Sequence, residues 1–273
     1  MEKKSRGSEK KYANVIKEKK ATFVVFVCLR LFVIAVGVFS FINGAYENLF
    51  YCLLTLVLFT LPSFAEKKFD IDLPDALEII ILLFIFAAEI LGELGGYYTR
   101  VPYWDSMLHT LNGFLCAAIG FALSDILNRN DKIKFKMSPL FLAITAFCFS
   151  MTIGVLWEFF EFFMDVFMDT DMQKDFVVKN VVSTLLGDST RDPVMIENIR
   201  STVLNGKDIG VHGYLDIGLY DTMKDLFVNF IGAVTFSIIG YFYVKTRGKG
   251  KFAKMFIPKL KKIHKTEKKD DKA

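Results

Sequence analysis

Runs of apolar residues divide this chain into segments long enough to cross a lipid bilayer. A helix needs about 18 residues or more to span the hydrocarbon, and an isolated backbone can cross it only with its hydrogen bonds made internally. Six runs of this kind, each with few charges, cover about residues 22–42, 49–65, 76–96, 104–126, 140–164 and 221–244. The sequence therefore predicts an all-α, polytopic membrane helix bundle of six transmembrane helices.

The composition agrees with a membrane protein and argues against a soluble domain. Hydrophobic residues make up 53% of the 273 residues, including 29 Phe, and they are concentrated in the six runs. The four cysteines lie inside these runs without the spacing of a metal site, so we interpret them as small apolar residues. The first run is longer than the apolar part of a signal peptide and no Ala-x-Ala site follows, so we expect it to be retained.

The distribution of Lys and Arg predicts the orientation of the spans. Basic residues are abundant before the first run, after the sixth run and in the link 127–139, whereas the links 43–48 and 97–103 hold none and one. The positive-inside rule then places both termini in the cytoplasm. We expect a basic cytoplasmic N-terminus (1–21), a six-span membrane domain (22–244) and a basic cytoplasmic tail (245–273). Beside a span, such a tail indicates topology rather than nucleic-acid binding, so no nucleic-acid partner is expected.

A long connection, residues 165–220, separates the fifth and sixth runs. It holds five basic and nine acidic residues, so we expect it to face outside. Asp192-Pro193 resembles a helix start, since Pro is tolerated in a first turn, and the apolar residues after it predict one face of a short helix. The connection is interpreted either as a loop resting on the membrane or as a lid over an outward-facing site.

Ionisable residues are clustered at one end of four of the runs. Such groups are costly within a membrane and mark candidate functional sites. A helix rises about 1.5 Å per residue, so depth separates them into two sets. The deeper residues, our candidate polar site, are Glu89, His109, Glu158 and Asp225. The residues expected at the rim, or supporting that site, are Glu93, Asp105, Asn112, Glu161, Asp221 and Asn229. The alternative is polar contact between helices, with the shallow acids at the level of the lipid headgroups.

Several short motifs resemble the YjdF-type bacterial inner-membrane proteins, a family of uncharacterised function, over about residues 75–245. The motifs are Tyr103-Trp104-Asp105 through His109 and Gly113, then Trp157-Glu158-Phe159-Phe160-Glu161, then Gly213 to Asp216, Tyr220 to Asp225, and Ile231-Gly232-Ala233. The block with Asp221, Asp225, Asn229 and Gly232 also resembles the terminal motif of VanZ-like envelope proteins. The resemblance implies a bacterial cell-membrane protein but no reaction, and the long loop exceeds the family pattern.

Three functions are compatible with an outward-facing carboxylate and histidine pocket. The favoured one is a binding or envelope-modulating protein that holds a cation, or part of a lipid or glycopeptide, as the association of VanZ-like proteins with glycopeptide resistance implies. The second is a membrane-embedded, metal-dependent enzyme acting on a lipid-linked substrate. The third is a proton- or cation-coupled transporter, for which the acids would be expected nearer the midplane.

A divalent metal is the cofactor that these residues would suit. One His with several carboxylates fits Mn²⁺ or Mg²⁺ better than Zn²⁺, and we expect any metal at Glu89, His109, Glu158 and Asp225. The sequence contains no His-Glu-x-x-His motif and no recognisable nucleophile motif. The catalytic residues, and whether the protein is an enzyme, therefore stay unassigned at this level, and the lipid bilayer is the partner that the sequence indicates.

Overall fold

The structure, a computed structural model, describes residues 2–68, 71–128, 136–188, 190–246 and 253–260. Eight α-helices and one π-helix account for most of them. They are α1 (Glu2–Ile42), α2 (Tyr46–Leu58), α3 (Leu61–Lys68), α4 (Asp75–Ile85), the π-helix (Phe86–Leu94), α5 (Tyr97–Arg100), α6 (Trp104–Asn128), α7 (Pro139–Met168) and α8 (Leu219–Lys245). Short 3₁₀ turns lie at Thr184–Leu186 and Ala253–Met255.

Five helical stretches are long and apolar enough to cross a membrane. They are Lys20–Ile42, Tyr46–Lys68, Trp104–Asn128, Pro139–Met168 and Leu219–Lys245. The predicted polytopic bundle is confirmed at this level. The predicted run 76–96 is helical too, but it consists of α4 followed directly by the π-helix, and neither reaches 18 residues.

The helical turn is wider in the π-helix, which contains Glu89 and Glu93. Its last turn ends with the Gly95 amide donating to the Ile90 carbonyl at 2.9 Å, an i→i+5 bond. Gly92 leaves room there for Tyr98, because a Cβ at position 92 would lie 2.4 Å from the Tyr98 ring. Short π segments inside helices recur at functional sites, and this one places two acids near the half-buried Tyr98.

Helices α6, α7 and α8 form the tightest part of the bundle. Gly113 of α6 and Gly232 of α8 let the two backbones approach, since a Cβ at 113 would lie 2.1 Å from the Asn229 carbonyl oxygen. Small residues at such positions permit close helix packing in membrane bundles. Toward the other end, Phe121 and Phe236 are fully buried between these helices.

A second apolar group joins α1, α2, α4 and the π-helix. Val33, Cys52, Phe59 and Leu82 are its most buried members. Much of the remaining apolar surface of α1 and α2 is exposed, as expected for helices that face lipid. All four cysteines are free thiols.

The connection after α7 contains strands rather than the expected short helix. It includes β2 (Val177–Val178), β3 (Val181–Ser183), β4 (Val194–Ile196), β5 (Val203–Leu204), β6 (Lys207–Asp208) and β7 (Tyr214–Leu215). The helix predicted after Asp192-Pro193 is wrong: Val194–Ile196 pairs antiparallel with Val181–Ser183. β-branched residues favour such pairing. The fold is therefore mostly helical rather than purely all-α.

A short antiparallel pairing joins two distant parts of the chain at one end of the bundle. Strand β1 (Ile71–Asp72), before α4, pairs with β8 (Lys259–Leu260), after α8. Phe256 and Ile257 are buried there with the core of α6 and α8. The link before α4 and the chain after α8 therefore lie at the same end. Most of the predicted basic link 127–139 and of the tail 245–273 lies outside the described residues.

Candidate functional site

Three side chains from two helices converge at one end of the α6–α7–α8 bundle. Asp105 and His109 occupy the first turns of α6, and Asp225 lies in the second turn of α8. Each offers one ligand atom, and these atoms all lie within 4.8 Å of one another. Metal–ligand bonds of about 2.0–2.6 Å allow two ligand atoms of one cation to lie up to about 5 Å apart. The group is therefore compact enough to surround a single ion.

His109 lies between two carboxylates. Its Nε2 is 3.5 Å from Asp105 Oδ1, and its Nδ1 is 3.7 Å from Glu158 Oε1 on α7. A neutral imidazole carries a proton on one nitrogen only. With the proton on Nδ1, facing Glu158, Nε2 is left as a ligand toward Asp105 and Asp225. We call Asp105, His109, Glu158 and Asp225 the polar cluster.

Two carboxylates of the polar cluster are buried without hydrogen bonds. Neither oxygen of Asp225 or Glu158 accepts one of ordinary geometry from the described residues, although Thr222 and Gln173 lie beside Glu158 and the Asp105 carboxyl lies beside Asp225. Lys224 approaches Asp225 Oδ1 only to 3.7 Å, whereas it lies 2.7 Å from Asp221 Oδ1. Buried charges are normally paired or bound to metal, so the cluster has unused capacity for a cation.

Below the polar cluster a short column of polar groups runs into the bundle. Asn112 donates to Asn229 Oδ1 at 3.4 Å, and Ser150 donates to the Gly113 carbonyl at 2.7 Å. Deeper still, Phe121 and Phe236 are fully buried and fill the space between the helices. The polar column thus ends at an apolar layer inside the bundle.

Glu89 and Glu93 form a neighbouring acidic group on the π-helix. Glu93 lies beside the Tyr51 hydroxyl, and Glu89 lies near both. Tyr98 on α5 lies between this group and the polar cluster. Its hydroxyl is within electrostatic range of Glu89, Glu93 and Asp105. Burial, and then Asp105, raises the pKa of Tyr98 far above its ordinary value. Its hydroxyl therefore stays protonated and can donate a hydrogen bond.

The start of the long connection is fixed beside the polar cluster. Asp165, in the last turn of α7, accepts from the backbone amides of Met172 and Gln173 at 2.6 and 2.8 Å. The Lys174 amide then donates to Asp221 Oδ2 at 2.9 Å. Because Asp221 begins α8, this segment runs directly over the helix end that carries Asp225.

The two ends of the connection are also tied to each other. Asp216 accepts from the Phe176 amide at 2.6 Å and from the Tyr220 amide at 2.7 Å. Strands β2 and β7 pair next to this point. The connection therefore leaves the bundle at the end of α7 and returns to it at the start of α8 as a closed loop. The base of this loop lies beside the polar cluster.

The predicted site residues separate into two neighbouring places. His109, Glu158 and Asp225, expected at the core, lie together, and Glu89 lies with Glu93 and Tyr51 instead. Of the residues expected at the rim, Asp105 contributes a ligand atom. Glu161 accepts from Trp157 Nε1 at 2.8 Å, and Asp221 pairs with Lys224. Asn112 and Asn229 bond each other below the cluster.

Sequence reasoning missed four residues around the polar cluster. Tyr98 was not among the predicted site residues, although Gly92, two residues before the end of the π-helix, could have indicated a ring packed against it. Lys224 is three residues from Asp221, a spacing that predicts an ion pair. Gln173 and Thr222, which bond each other, gave no signal, since their contact joins two distant parts of the chain.

Comparison with known proteins agrees with the membrane architecture. A family model described as "Predicted membrane protein (DUF2238)" matches residues 25–246. An uncharacterised protein of Thermotoga maritima is 26% identical over 129 residues, which is 46% of this chain and 65% of the relative. The chain thus covers less than two thirds of that relative's length. No solved structure matches the chain. With more than half of its residues matched, the chain belongs to the DUF2238 family of predicted membrane proteins.

Proposed function

We propose that this protein binds a divalent cation, Mn²⁺ or Mg²⁺, through Asp105, His109 and Asp225. The bound cation would hold a hydroxyl- or phosphate-bearing part of a lipid or cell-envelope ligand at the membrane surface. The observation that carries the proposal is the convergence of the three ligand atoms within 4.8 Å. Glu158 supports it, because a carboxylate facing Nδ1 is the usual partner of a metal-binding histidine.

The chemistry of the donors favours a hard cation. Two carboxylates and one imidazole suit Mn²⁺ or Mg²⁺, whereas structural Zn²⁺ sites are rich in Cys and His. Three protein ligands leave coordination positions for a second molecule. The buried oxygens of Asp225 accept no hydrogen bond from the described residues, and Lys224 approaches only to 3.7 Å, so a bound cation would be a closer partner for this carboxylate.

The apolar layer below the site favours binding over transport. The polar column ends above Phe121 and Phe236, so the described residues do not form a continuous polar path through α6, α7 and α8. A transporter that carries ions between α6, α7 and α8 would need a second conformation in which the Phe121 and Phe236 rings move aside.

A metal-dependent enzyme acting on a lipid-linked substrate is the second candidate. Glu158 favours it, because it adds to the three ligand residues a buried carboxylate that is not itself a ligand, as a general base for a cation-bound water would be. Glu158→Gln separates the two candidates. The Gln carbonyl oxygen can still accept from His109 Nδ1–H, so Mn²⁺ affinity should fall by no more than about tenfold in either case. A binding protein then keeps its ligand at saturating Mn²⁺, whereas an enzyme loses turnover.

For the topology we propose six spans, with α4 and the π-helix together as the third. Both termini would be cytoplasmic and residues 165–220 outside, with the membrane domain at 22–244 between the basic segments 1–21 and 245–273. The β1–β8 pairing supports this arrangement, because it needs the link before α4 and the end of the chain on one side. The YjdF-type and VanZ-like resemblances belong to the same proposal, and they favour a bacterial cell membrane.

Single cysteines in a cysteine-free background test the topology. We expect Asp188→Cys, in the long connection, to react with an impermeant maleimide in intact cells, because this exposed residue would face outside. Lys254→Cys, also exposed, should react only after the membrane is permeabilised. Labelling of both positions in intact cells would contradict the six-span arrangement.

Titration calorimetry tests the cation site in the purified protein. We expect one Mn²⁺ per chain, which EDTA removes and excess Mg²⁺ displaces. At a Mn²⁺ concentration about a hundredfold above Kd, binding should raise the free energy of unfolding by about 2.7 kcal/mol. Asp188→Asn, an exposed acid in the loop, is the matched control and should bind as the wild type does. Wild-type protein without saturable Mn²⁺ binding at millimolar concentration would refute the proposal.

A further inference from the structure

The connection between α7 and α8 has no hydrophobic core of its own. Its strands β2 to β7 form three separate two-stranded sheets. Among the described residues between 169 and 218, no apolar side chain is buried. A two-stranded sheet alone is at best marginally stable in water and needs another surface to cover an apolar face. The apolar side chains of the connection therefore need a partner outside it.

The exposed apolar side chains are spread along the whole connection. Leu185, directly after β3, is 93% exposed. Five further residues are more than half exposed, namely Val182, Met195, Val203, Leu204 and Ile217. Val182 and Met195 lie opposite each other in the β3–β4 pair and so share one face. Exposed apolar surface of this kind marks an interaction site.

We propose that this connection lies on the lipid bilayer that surrounds the helices, with its exposed apolar side chains inserted at the level of the headgroups. The unpaired edges of its strands exclude a deeper position, because backbone polar groups in the hydrocarbon must be bonded internally. The proposal does not depend on the cation site, and it holds whichever side of the membrane the connection faces.

The lipid-facing surface of the helices continues into the connection. Phe167 and Met168, the last residues of α7, and Leu219, the first residue of α8, are all more than half exposed and belong to candidate membrane spans. Ile217, two residues before α8, is exposed in the same way. Lipid that contacts the two helix ends therefore reaches both ends of the connection, which favours a bilayer over a separate protein partner.

The base of the connection is held at these helix ends. The Phe176 and Tyr220 amides both donate to Asp216, and the Phe176 and Tyr220 rings are 6.3 Å apart between centroids. An extended chain rises about 3.3 Å per residue, so Leu185 is at most about 30 Å of chain from Phe176. The β3–β4 pair is thus within reach of the bilayer surface.

The charge of the connection favours apolar over electrostatic attachment. Acidic residues outnumber basic residues between 169 and 218, and anionic headgroups would repel such a segment. Binding of a segment to a membrane surface then depends on the apolar area that it inserts. We therefore expect the attachment to be insensitive to salt and to need no anionic lipid.

Spin labels on single cysteines test the attachment in the full-length, cysteine-free protein reconstituted into phosphatidylcholine vesicles. Collisions with O₂ report lipid, and collisions with a water-soluble nickel chelate report water. We expect labels at Leu185→Cys and Met195→Cys to favour O₂, with nickel accessibility about threefold or more below that of Asp188→Cys, the exposed polar control in the same strand pair. All three side chains are exposed, so the labels should not disturb the fold.

A label at Leu156→Cys gives the lipid reference, because this residue is more than half exposed on the membrane-spanning helix α7. Nickel accessibility at Leu185 and Met195 equal to that at Asp188 would overturn the proposal, since the connection would then lie in water. Shielding from both reagents, with spin–spin broadening that grows with the protein-to-lipid ratio, would overturn it in favour of a second copy of the chain. Loss of the O₂ preference at high salt would also contradict apolar attachment.

Discussion

Replacing Gly232 with Ala should separate α6 from α8 and unfold the part of the bundle that carries the polar cluster. A Cβ at position 232 would lie 2.0 Å from the Thr110 carbonyl oxygen and 2.8 Å from the Phe114 amide nitrogen. Both are backbone atoms of α6, so no side-chain rotation relieves the overlap. We expect a loss of about 3 kcal/mol or more, the upper range for overpacking, measured as unfolding of the purified protein in detergent.

Substitutions at two other glycines provide the comparison for the stability of Gly232→Ala. Gly113→Ala, on the opposite helix, should reproduce the loss, since its Cβ would lie 2.1 Å from the Asn229 carbonyl oxygen. Gly37→Ala in α1 is the matched control: its Cβ would lie 3.3 Å from the Cys52 side chain, and Ala is the better helix former. If Gly232→Ala were as stable as Gly37→Ala, the close contact of α6 and α8 would be wrong.

Asp225→Asn should abolish Mn²⁺ binding and yet stabilise the metal-free protein. The carboxylate is fully buried, neither oxygen accepts a hydrogen bond from the described residues, and Asp105 lies beside it. Within that part of the chain, Asp225 has only Lys224, at 3.7 Å, as a counter-charge and lies next to Asp105, so removing its charge relieves a burial cost of about 1–3 kcal/mol. Thermal unfolding in EDTA and with saturating Mn²⁺ measures both effects on one sample.

Asp221→Asn is the matched control on the same helix, one turn away. Asp221 is equally buried, but it pairs with Lys224 at 2.7 Å and accepts from the Lys174 amide at 2.9 Å. Its substitution should therefore destabilise the protein with or without Mn²⁺. Destabilisation of the metal-free protein by Asp225→Asn, or wild-type Mn²⁺ affinity in that variant, would count against a cation site at Asp225.

The membrane architecture was predictable because it depends on local properties of the chain. The length of each apolar run determines whether it can cross a bilayer, and the i, i+4 spacing of Asp105 and His109 places them on one helical face. Depth along a helix followed from residue number alone. These properties need no knowledge of which helices touch.

The arrangement within the polar cluster was not predictable, because it depends on how each helix is rotated and how closely its neighbours approach. Asp105 was expected at the rim from its depth, and its ligand atom lies with those of His109 and Asp225. The approach of α6 and α8 at Gly113 and Gly232 sets that geometry. Glu89 is at a suitable depth, but the π-helix places it beside Glu93 and near Tyr51.

The long connection shows a different limit. Asp192-Pro193 is a local signal for a helix start, and it was outweighed by a pairing between Val181–Ser183 and Val194–Ile196. Strand pairing depends on a partner elsewhere in the chain, which a local signal does not contain. The same holds for Gln173 and Thr222, whose contact joins the start of the connection to α8.

Pulsed electron paramagnetic resonance of the Mn²⁺-loaded protein, prepared without a polyhistidine tag, tests the central claim most directly. We predict hyperfine coupling to one imidazole nitrogen, which changes to the ¹⁵N pattern on labelling of histidine and disappears in His109→Gln. The chain has three histidines, so His212→Gln is the control and should leave the coupling intact. Bound Mn²⁺ without any nitrogen coupling, or coupling that persists in His109→Gln, would contradict a cation site at Asp105, His109 and Asp225.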